Sequence, residues 1–403
     1  MVELEISIIP DSDIDKTTMQ AFADEFGDTH NTKVNIRMME WATAWTELFS
    51  IAARGKGPDV SHIGSTWLSS LAMMNVLRPF HRDDIEPVGG ISAFMNPSQQ
   101  SIRLFNDDVI WAVPWTGYIY VVCYRKDFLD QAKAPNKPFA NITTFRDTIL
   151  KLRQAGFEIP WINSTITPPY SDYVHTSASW IWGAGGNFLD RTGKHVVLDS
   201  PEAVAGIVAW LDTYLAIAND QKDMASDVAM KPFIEGQAAA LLTDIRTANS
   251  FLAKGIDETV SKNLVVTTLT SVPWCGGGSF VVWNHTRSQP QREKLALEFV
   301  QFMTSKKQNV RWAQQTGSMP ARVDALEEIY PIGHPLRSVA MLTYRQGRAY
   351  PAVPVWRRIE YQIAQTLSDI VNSAHNDNTQ NLPSLVRTAI APLVRRLNLA
   401  LEG

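Results

Sequence analysis

The sequence predicts an α/β protein built as two lobes, with the chain crossing from one lobe to the other. Strand-like segments alternate with helix-like segments, which is typical of a parallel sheet covered by helices. The chain has 403 residues, too many for one ordinary core, so its length favours two or three domains. Within residues 105–129 an aromatic connector, Pro114-Trp115-Thr116-Gly117-Tyr118, joins two strand-like stretches. We interpret this connector as the first crossing.

The first third of the chain repeats a strand–helix pattern. Strands are predicted at 2–9, at 33–38 and after the loop that begins at Gly57, and helices at 16–26, 41–54 and 65–76. In a parallel α/β sheet, ligands bind beyond the carboxyl ends of the strands. Ser65, Thr66 and Trp67 begin a helix at such an end, so they are candidate binding residues.

The middle of the chain continues the alternation. Helices are predicted over 143–156, 172–183, 204–216, 230–236 and 245–254, and strands over 159–162, 238–242, 264–270 and 280–283. The helix near 204–216 has a defined start, because Ser200 suits the N-cap and Pro201 the first helical position.

Two further breaks suggest two further crossings. Residues 273–279 contain three successive glycines, Gly276, Gly277 and Gly278, which mark a flexible turn or a place where backbone approaches closely. Residues 317–320, Gly-Ser-Met-Pro, form the other break. From residue 324 onward the pattern is helical, with a polar insert at 376–383.

Composition narrows the classes of partner. Charged residues make up 19% of the chain, the net charge is -4, and the charges are scattered, so we expect neither nucleic acid nor anionic lipid as a partner. The 13 Trp residues exceed what a core of this size requires. Because an indole combines a flat apolar face with one N–H, some of them are expected to line a binding surface.

Motifs of catalysis and cofactor binding are absent from the sequence. There is no GxGxxG, Walker or HExxH pattern, so no cofactor, metal site or catalytic residue is predicted. The carboxylate pairs Asp83-Asp84 and Asp107-Asp108 are interpreted as solvated turn charges. Cys123 and Cys275 are expected to be free buried thiols, with a single bridge as the alternative.

Five local motifs occur in a fixed order along the chain: Gly57-Pro58-Asp59-Val60, Asp108 to Pro114 with Tyr124-Arg125-Lys126-Asp127-Phe128-Leu129, Gly185-Gly186-Asn187-Phe188-Leu189-Asp190, Leu198-Asp199-Ser200-Pro201-Glu202-Ala203, and Phe233-x-x-Gly236-x-Ala238-Ala239. Their order and spacing over nearly the whole chain resemble the extracytoplasmic solute-binding proteins of the carbohydrate class that feed ABC importers, the group that includes maltodextrin- and trehalose-binding proteins.

The resemblance implies a Venus-flytrap fold with three crossings between lobes, near 113–118, 275–279 and 317–320. One lobe would comprise 1–112 plus 279–317, and the other 118–274 plus 321–403. It further implies an extracytoplasmic monomer, periplasmic or anchored at the membrane with its leader outside this sequence, which needs no cofactor. Its partners would be a small carbohydrate, held in the cleft between the lobes, and the subunits of an ABC permease.

A pyranose has apolar C–H faces and a rim of hydroxyls, so its site needs aromatic platforms and fixed polar groups. Residues that match the contact positions of the family, or lie at the crossings, are Trp41, Ser65, Thr66, Trp67, Trp115, Tyr118, Tyr173, His175, Asp244, Arg246, Trp274, Gly276, Gly277, Gly278 and Trp356. Most have a structural alternative: core packing for the tryptophans, hinge packing for Trp115 and Tyr118, and a core or helix-surface position for His175.

Asp244-Ile245-Arg246 departs from the family pattern, because many relatives carry Gly-Pro-Trp there, with the Trp stacked on sugar. Asp244 and Arg246 form either a structural ion pair or a pair that binds hydroxyls or an anion. The predicted function is therefore binding of a mono- or small oligosaccharide for import. Two alternatives remain: an anionic sugar derivative held by Arg246, and a carbohydrate-active enzyme that uses scattered carboxylates.

Overall fold

The computed structural model describes residues 2–164, 171–217, 226–253, 256–376 and 381–402. Lys254, at the end of the helix predicted over 245–254, and residues 377–380 of the predicted polar insert lie outside the described residues. The chain forms two compact units. Unit 1 comprises Met1–Tyr118, Cys275–Gly333 and Ala349–Arg357, and unit 2 comprises Ile119–Trp274, His334–Arg348 and Arg358–Gly403.

The strands of the described residues are β1 (Glu3–Ile8), β2 (Lys33–Met38), β3 (Val60–Gly64), β4 (Leu77–Arg78), β5 (Val113–Tyr118), β6 (Tyr120–Arg125), β7 (Ala240–Asp244), β8 (Leu264–Thr268), β9 (Gly276–Trp283) and β10 (Met319–Pro320).

The α-helices are α1 (Asp13–His30), α2 (Trp41–Arg54), α3 (Leu68–Met73), α4 (Arg82–Ile85), α5 (Asn96–Ser101), α6 (Lys126–Gln131), α7 (Ile142–Gln154), α8 (Ser171–Gly183), α9 (Pro201–Leu215), α10 (Ser226–Ile234), α11 (Ile245–Ala253), α12 (Glu258–Asn263), α13 (Pro290–Thr304), α14 (Lys306–Thr316), α15 (Val323–Ile329), α16 (Arg337–Gln346), α17 (Trp356–Asn376) and α18 (Leu382–Glu402).

Helix starts follow the local sequence. The Ser12 hydroxyl accepts a hydrogen bond from the backbone N–H of Asp15 at the start of α1. At the start of α9 the Ser200 hydroxyl accepts from the N–H of Ala203, with Pro201 in the first turn. The predicted helix start at Ser200 is therefore confirmed.

Unit 1 is built on a seven-stranded sheet with the order β10-β5-β9-β3-β1-β2, and β4 pairs with β9 at the side. Strand β1 is parallel to β2 and β3, as expected from the strand–helix repeat. Strand β9 is antiparallel to both β3 and β5 and lies between them. This central strand comes from a part of the sequence more than 150 residues beyond β5.

Both faces of this sheet are covered. Successive side chains of a strand point to opposite faces, so β9 contributes Phe280 and Val282 to one hydrophobic core and Val281 and Trp283 to another. The first core also holds residues of α1 and α13, and the second holds residues of α2 and α3. The carboxyl ends of β1 and β3 therefore lie at an edge of a sheet whose two faces are covered. Ligands bind beyond this edge in such sheets.

Unit 2 has a three-stranded antiparallel sheet with the order β7-β6-β8. The strand predicted over 159–162 is present as two isolated parallel bridges, from Ile159 to Ala238 and from Ile162 to Leu241. Aromatic side chains fill the core of this unit; the rings of Phe145 and Trp161, for example, meet edge to face at 5.0 Å.

The chain passes from unit 1 to unit 2 after Tyr118 and returns after Trp274. Residues 317–320 lie inside unit 1, so the chain does not leave unit 1 at the third crossing predicted there; it leaves after Gly333. The segment Ala349–Arg357, expected in the second lobe, also belongs to unit 1.

Hydrogen bonds explain why the chain stays with unit 1 beyond residue 320. The N–H of Ala321 donates to the carbonyl of Trp115 at 3.2 Å. The buried guanidinium of Arg322 donates to the carbonyls of Val88 and Thr304. A guanidinium cannot be buried without such acceptors, so these contacts fix the segment in unit 1.

Further features of the described residues bear on the predictions. Cys123 and Cys275 are free and buried, as expected. No helix in the described ranges is long and apolar enough to cross a membrane. Within those ranges no group of three or more His, Cys, Asp and Glu side chains is arranged to hold a metal ion.

Candidate functional site

In unit 1 an aromatic platform stands at the carboxyl end of β1. Trp41 is the first residue of α2, and 43% of it is exposed. Its indole Nε1–H donates a 2.6 Å hydrogen bond to the Asp11 carboxylate, in the loop that follows β1. Its ring meets the ring of Trp67 at 5.5 Å and that of His62 at 6.0 Å, edge to face in both cases. The ring is therefore exposed yet fixed in orientation.

Trp67 supports this platform from below. It ends the short 3-10 turn Ser65–Trp67, which directly follows β3, and only 7% of it is exposed. Its ring also meets the ring of Trp45 at 5.9 Å. Ser65 and Thr66, in the same turn, are half-buried. Of the four residues predicted in this region, Trp41 is the exposed ring and Trp67 is packed behind it.

His62, in β3, lies beneath the platform and was not among the predicted site residues. It is 5% exposed, and its Nδ1 accepts a hydrogen bond from the backbone N–H of Ile9 at 3.4 Å. Its Nε2 is buried and has no hydrogen-bond partner among the described residues. Burial lowers the pKa of His62 to about 4, although the charge of Asp15 acts in the opposite direction.

Trp115 lies in a core. It is 3% exposed, and its ring packs against those of Trp312 at 4.4 Å and Phe280 at 4.7 Å. The whole predicted connector is strand β5, and residues 105–112 do not form the strand expected before it. Trp115 is therefore packed in the core of unit 1, whereas the alternative considered for it was packing in the hinge. Tyr118, the last residue of β5, is half-buried and pairs with Gly276.

The three glycines at 276–278 are the first residues of β9 and not the predicted flexible turn. Gly277 has a φ of 147°, and a Cβ there would lie 2.0 Å from the carbonyl oxygen of Thr116. The N–H of Gly278 donates to the Thr116 hydroxyl at 3.2 Å, so it is not an exposed donor. The glycines permit the close approach of β9 to β5, which was the second of the two roles considered for them.

In unit 2, His175 and Trp274 form a stacked pair. The two rings lie 4.1 Å apart and nearly parallel, at 11°. His175 Nε2 lies 3.7 Å from the carboxylate of Glu360, which is 1% exposed. The ring of Tyr120 lies 5.9 Å from that of Trp274, and Trp274 itself is 5% exposed. One face of the predicted Trp274 platform is therefore covered by His175.

Asp244 caps a helix. Its carboxylate accepts hydrogen bonds from the N–H of Arg246 at 2.8 Å, and from the N–H and hydroxyl of Thr247 at 3.0 and 2.7 Å. This arrangement is the standard N-cap of α11, which explains Asp244 without an ion pair to Arg246. Arg246 is half-buried in the first turn of that helix.

Asp172, in α8, is a half-buried carboxyl group near these residues. Burial raises its pKa, a hydrogen bond with Tyr120 lowers it, and the charge of Asp244 raises it further. Tyr120 and His175 therefore each have a carboxyl group beside them, Asp172 for Tyr120 and Glu360 for His175.

Two other predicted residues are packed inside their units. Tyr173 is 6% exposed and meets the rings of Trp210 and Tyr214 edge to face, at 5.6 and 5.3 Å. Trp356 is 1% exposed and stacks on Tyr350 at 4.5 Å. Core packing was the alternative considered for Trp356.

Five further residues of these two regions were not among the predicted site residues: Asp11, His62, Tyr120, Asp172 and Glu360. Asp11 could have been predicted from the sequence, because it is a polar residue just after a strand that was expected to end at a ligand-binding edge. His62 gave a weaker signal, as a titratable residue in a strand that was predicted to be buried. The sequence gives no indication of Glu360, because its contact is with His175, 185 positions earlier in the chain.

Comparisons with known proteins agree with this architecture. Residues 21–331 match the family described as bacterial extracellular solute-binding protein. The maltodextrin-binding protein MdxE of Bacillus subtilis (strain 168) is 22% identical over 331 residues, covering 78% of this chain and 73% of the relative.

Two solved structures show the same fold. The sugar-binding protein MalE from the phytopathogen Xanthomonas citri aligns with a TM-score of 0.80 at 15% identity, covering 100% of this chain and 98% of that chain. An ABC transporter solute-binding protein from Thermotoga lettingae TMO, bound with alpha-D-tagatose, aligns with a TM-score of 0.77 at 16% identity over 100% of both chains. The predicted two-lobed fold and the predicted resemblance are confirmed. Since the family match spans most of the sequence, the chain belongs to the family of bacterial extracellular solute-binding proteins.

Proposed function

We propose that this protein binds a neutral mono- or small oligosaccharide outside the cytoplasm and delivers it to the permease of an ABC importer. The observation that carries the proposal is the geometry of Trp41: a half-exposed indole, held by Asp11 and backed by Trp67, at the ligand-binding edge of a sheet. Similar proteins include a maltodextrin-binding protein and a solute-binding protein bound with tagatose, and this similarity supports a carbohydrate as the ligand.

The chemistry of a pyranose fits this platform. Its C–H face can stack on the open side of the Trp41 ring, while hydroxyls around its rim need fixed polar partners. Because Asp11 already holds the indole in place, little side-chain entropy is lost when a sugar binds, and preorganisation of this kind increases affinity.

We assign the polar contacts of unit 2 to the group of Tyr120, Asp172, His175 and Glu360. Carboxyl groups and a histidine beside an indole are suited to hydroxyl recognition, since hydrogen bonds to charged groups contribute about 1.5–3 kcal/mol each. The group supports a sugar ligand without requiring a charged one.

A neutral ligand is favoured over an anionic one. Asp244 is accounted for as the cap of α11, and its charge helps to raise the pKa of Asp172. A surface that already holds several carboxyl groups would repel an added anion, and Arg246 would have to offset that repulsion. The alternative of a sugar acid, sulfonate or phosphorylated polyol is therefore the second candidate.

The enzyme alternative has less support. Asp84, of the paired Asp83 and Asp84, binds the guanidinium of Arg78, which places it in a structural ion pair. The matching family consists of binding proteins. Incubation with candidate oligosaccharides, followed by product analysis, tests this alternative, because turnover would contradict a purely binding role.

The proposed function is tested by a thermal-shift screen with neutral sugars and anionic derivatives, followed by calorimetric titration of the hits. We expect stabilisation by neutral sugars and a loss of affinity of about tenfold or more in Trp41→Ala, since the whole platform is removed. Asp11→Ala should weaken binding, whereas Asp11→Asn, which keeps an acceptor for the indole, should weaken it less. Tyr361→Ala, at an exposed aromatic position in unit 2, is the matched control.

Two results would contradict the proposal. Stabilisation by anionic derivatives alone, abolished in Arg246→Ala, would favour the second candidate. Equal affinity of the wild type and Trp41→Ala for a neutral sugar would remove Trp41 from the site.

A further inference from the structure

We propose that His62 is a positioning residue for the candidate binding site: through the loop that follows β1, it fixes the Trp41 ring in the orientation that binds ligand. This inference rests on the proposed function, in which Trp41 contacts the ligand, and it identifies a side chain on which that contact depends. His62 is buried, so it acts on the ligand only through Trp41 and the loop.

The first connection runs through the backbone of Ile9. The N–H of Ile9 donates to Nδ1 of His62 at 3.4 Å, so Nδ1 carries no proton and the proton of the neutral imidazole lies on Nε2. Only Pro10, whose ring restricts the backbone, separates Ile9 from Asp11. A contact that fixes Ile9 therefore also limits the position of the Asp11 carboxylate, which accepts the indole N–H of Trp41 at 2.6 Å.

Asp15 holds the other end of the same loop. Its buried carboxylate accepts the backbone N–H of Asp11 at 2.9 Å and the Ser12 hydroxyl at 3.0 Å. The loop thus has a buried acceptor at each end, on His62 and on Asp15. An ordered loop loses little conformational entropy when ligand binds, and this preorganisation increases affinity.

The second connection is a direct contact between rings. The rings of His62 and Trp41 meet edge to face at 6.0 Å. The imidazole also meets the ring of Trp115 edge to face at 5.1 Å, and the ring of Phe280 lies 6.1 Å away. Trp115 and Phe280 belong to the core of unit 1. The imidazole therefore links the half-exposed Trp41 to a close-packed core that resists displacement.

Histidine is a costly choice for this position if packing is its only role. Its Nε2 is buried and has no hydrogen-bond partner within the described part of the chain, and an unpaired buried polar atom destabilises the folded state. Burial also lowers the pKa of His62 to about 4, against the charge of Asp15. A phenyl ring would fill similar space without these costs, but it could not accept the N–H of Ile9. The bond to the loop is therefore what distinguishes histidine here.

The test is calorimetric titration of His62 variants with neutral sugars, including maltose, maltotriose and D-tagatose. His62→Phe keeps a ring but removes the acceptor, and His62→Gln places its amide nearer the position of Nε2 than that of Nδ1. Both should lower affinity roughly three- to tenfold, the range of one hydrogen bond. His62→Asn, which keeps an acceptor near the position of Nδ1, should stay within about twofold of the wild type.

A double-mutant cycle separates positioning from general destabilisation. In the Trp41→Ala background, His62→Phe should change affinity less than about twofold, because the ring through which His62 acts is gone. Hydrogen exchange in the free protein gives a second measurement: the peptide that contains Asp11 and Ser12 should exchange faster in His62→Phe than in the wild type. Val60→Ala, which removes buried methyl groups at the other end of β3, is the matched control and should leave affinity unchanged.

Three results would overturn the inference while leaving the sugar-binding function intact. They are equal affinity of the wild type and His62→Phe, an equal loss in His62→Asn and His62→Phe, and a loss in His62→Phe that persists without the Trp41 ring. If no neutral sugar binds the wild type, the proposed function itself fails. Thermal unfolding without ligand shows whether each variant is folded, and His62→Gln serves in place of His62→Phe if the latter is not.

Discussion

The buried His62 predicts that unit 1 loses stability as the pH falls below neutrality. In the folded protein burial lowers its pKa to about 4, whereas the ordinary pKa of histidine is 6.5. The unfolded chain therefore binds a proton between these values that the folded chain does not. The contribution of the neutral His62 to the free energy of unfolding is fully present above pH 6.5, and it declines as the pH falls toward 4.

The magnitude follows from linkage between protonation and folding. With a folded pKa of about 4 and an unfolded pKa of 6.5, the free energy of unfolding falls by about 2 kcal/mol at pH 5 and by about 3 kcal/mol at pH 4. Other groups titrate over the same range, so the effect of His62 must be isolated with a variant. His62→Asn removes the titration and places an amide oxygen where Nδ1 accepts the N–H of Ile9.

Hydrogen exchange measured by mass spectrometry suits a chain of two units, because it reports the opening of one unit at a time. The peptides of interest contain β3, where His62 lies. We expect the difference in opening free energy between wild type and His62→Asn to change by about 2 kcal/mol from pH 7.5 to pH 5, to the disadvantage of the wild type. Peptides of β6 in unit 2 should show no such change.

A difference that stays constant with pH would refute this reasoning. It would mean that His62 keeps an ordinary pKa, and so that the folded chain accepts a proton beneath Trp41 without cost. A change confined to β6 peptides would also refute it, because His62 lies in β3 of unit 1.

Three further predictions concern packing and charge. Gly278→Ala should destabilise unit 1 by at least about 2 kcal/mol in urea unfolding, because a Cβ there would lie 2.1 Å from Nε2 of His62. Asn309→Ala should cost about 1–3 kcal/mol in the same assay, since the buried Asn309 amide donates to the carbonyl of Trp115 at 2.7 Å. Asp172→Asn should raise the melting temperature at pH 7 and have little effect at pH 3, because burial raises the pKa of that carboxyl and the charged form is disfavoured in the folded state.

Local sequence was sufficient to predict the helices and strands whose type is determined by their own periodicity. The helix predicted over 41–54 is α2 with the same bounds, and the strand predicted over 33–38 is β2. These segments have a clear period of 3.6 or 2 and defined ends, so their type depends little on distant residues. The α/β class then followed from their order along the chain.

Distant contacts explain what the sequence could not predict. Trp41 and Trp115 were both predicted to contact ligand, but Trp115 is enclosed by Trp312, almost 200 positions later, while Trp41 stays exposed. The burial of Trp115 therefore depends on a residue far away in the sequence. The glycines of β9 were ambiguous for the same reason, because their close neighbour is the backbone at Thr116.

The third predicted crossing failed for a related reason. The break at 317–320 is real, but a Gly-Pro break indicates only that a helix ends. Which unit the chain joins next depends on the acceptors for the Arg322 guanidinium, at Val88 and Thr304. That information lies in tertiary packing and not in the break itself.

The late arrival of β9 in the chain has a consequence for synthesis. Until residues 276–283 emerge from the ribosome, β3 and β5 lack the strand that lies between them, and both keep an unpaired edge. Unit 1 therefore cannot complete its sheet while the first two thirds of the protein are being made, and contacts of such long sequence separation form slowly. We expect nascent chains that stop before residue 276 to be sensitive to proteases and prone to associate through those edges. For a protein that acts outside the cytoplasm, the same delay means that unit 1 stays incompletely folded for longer after synthesis begins.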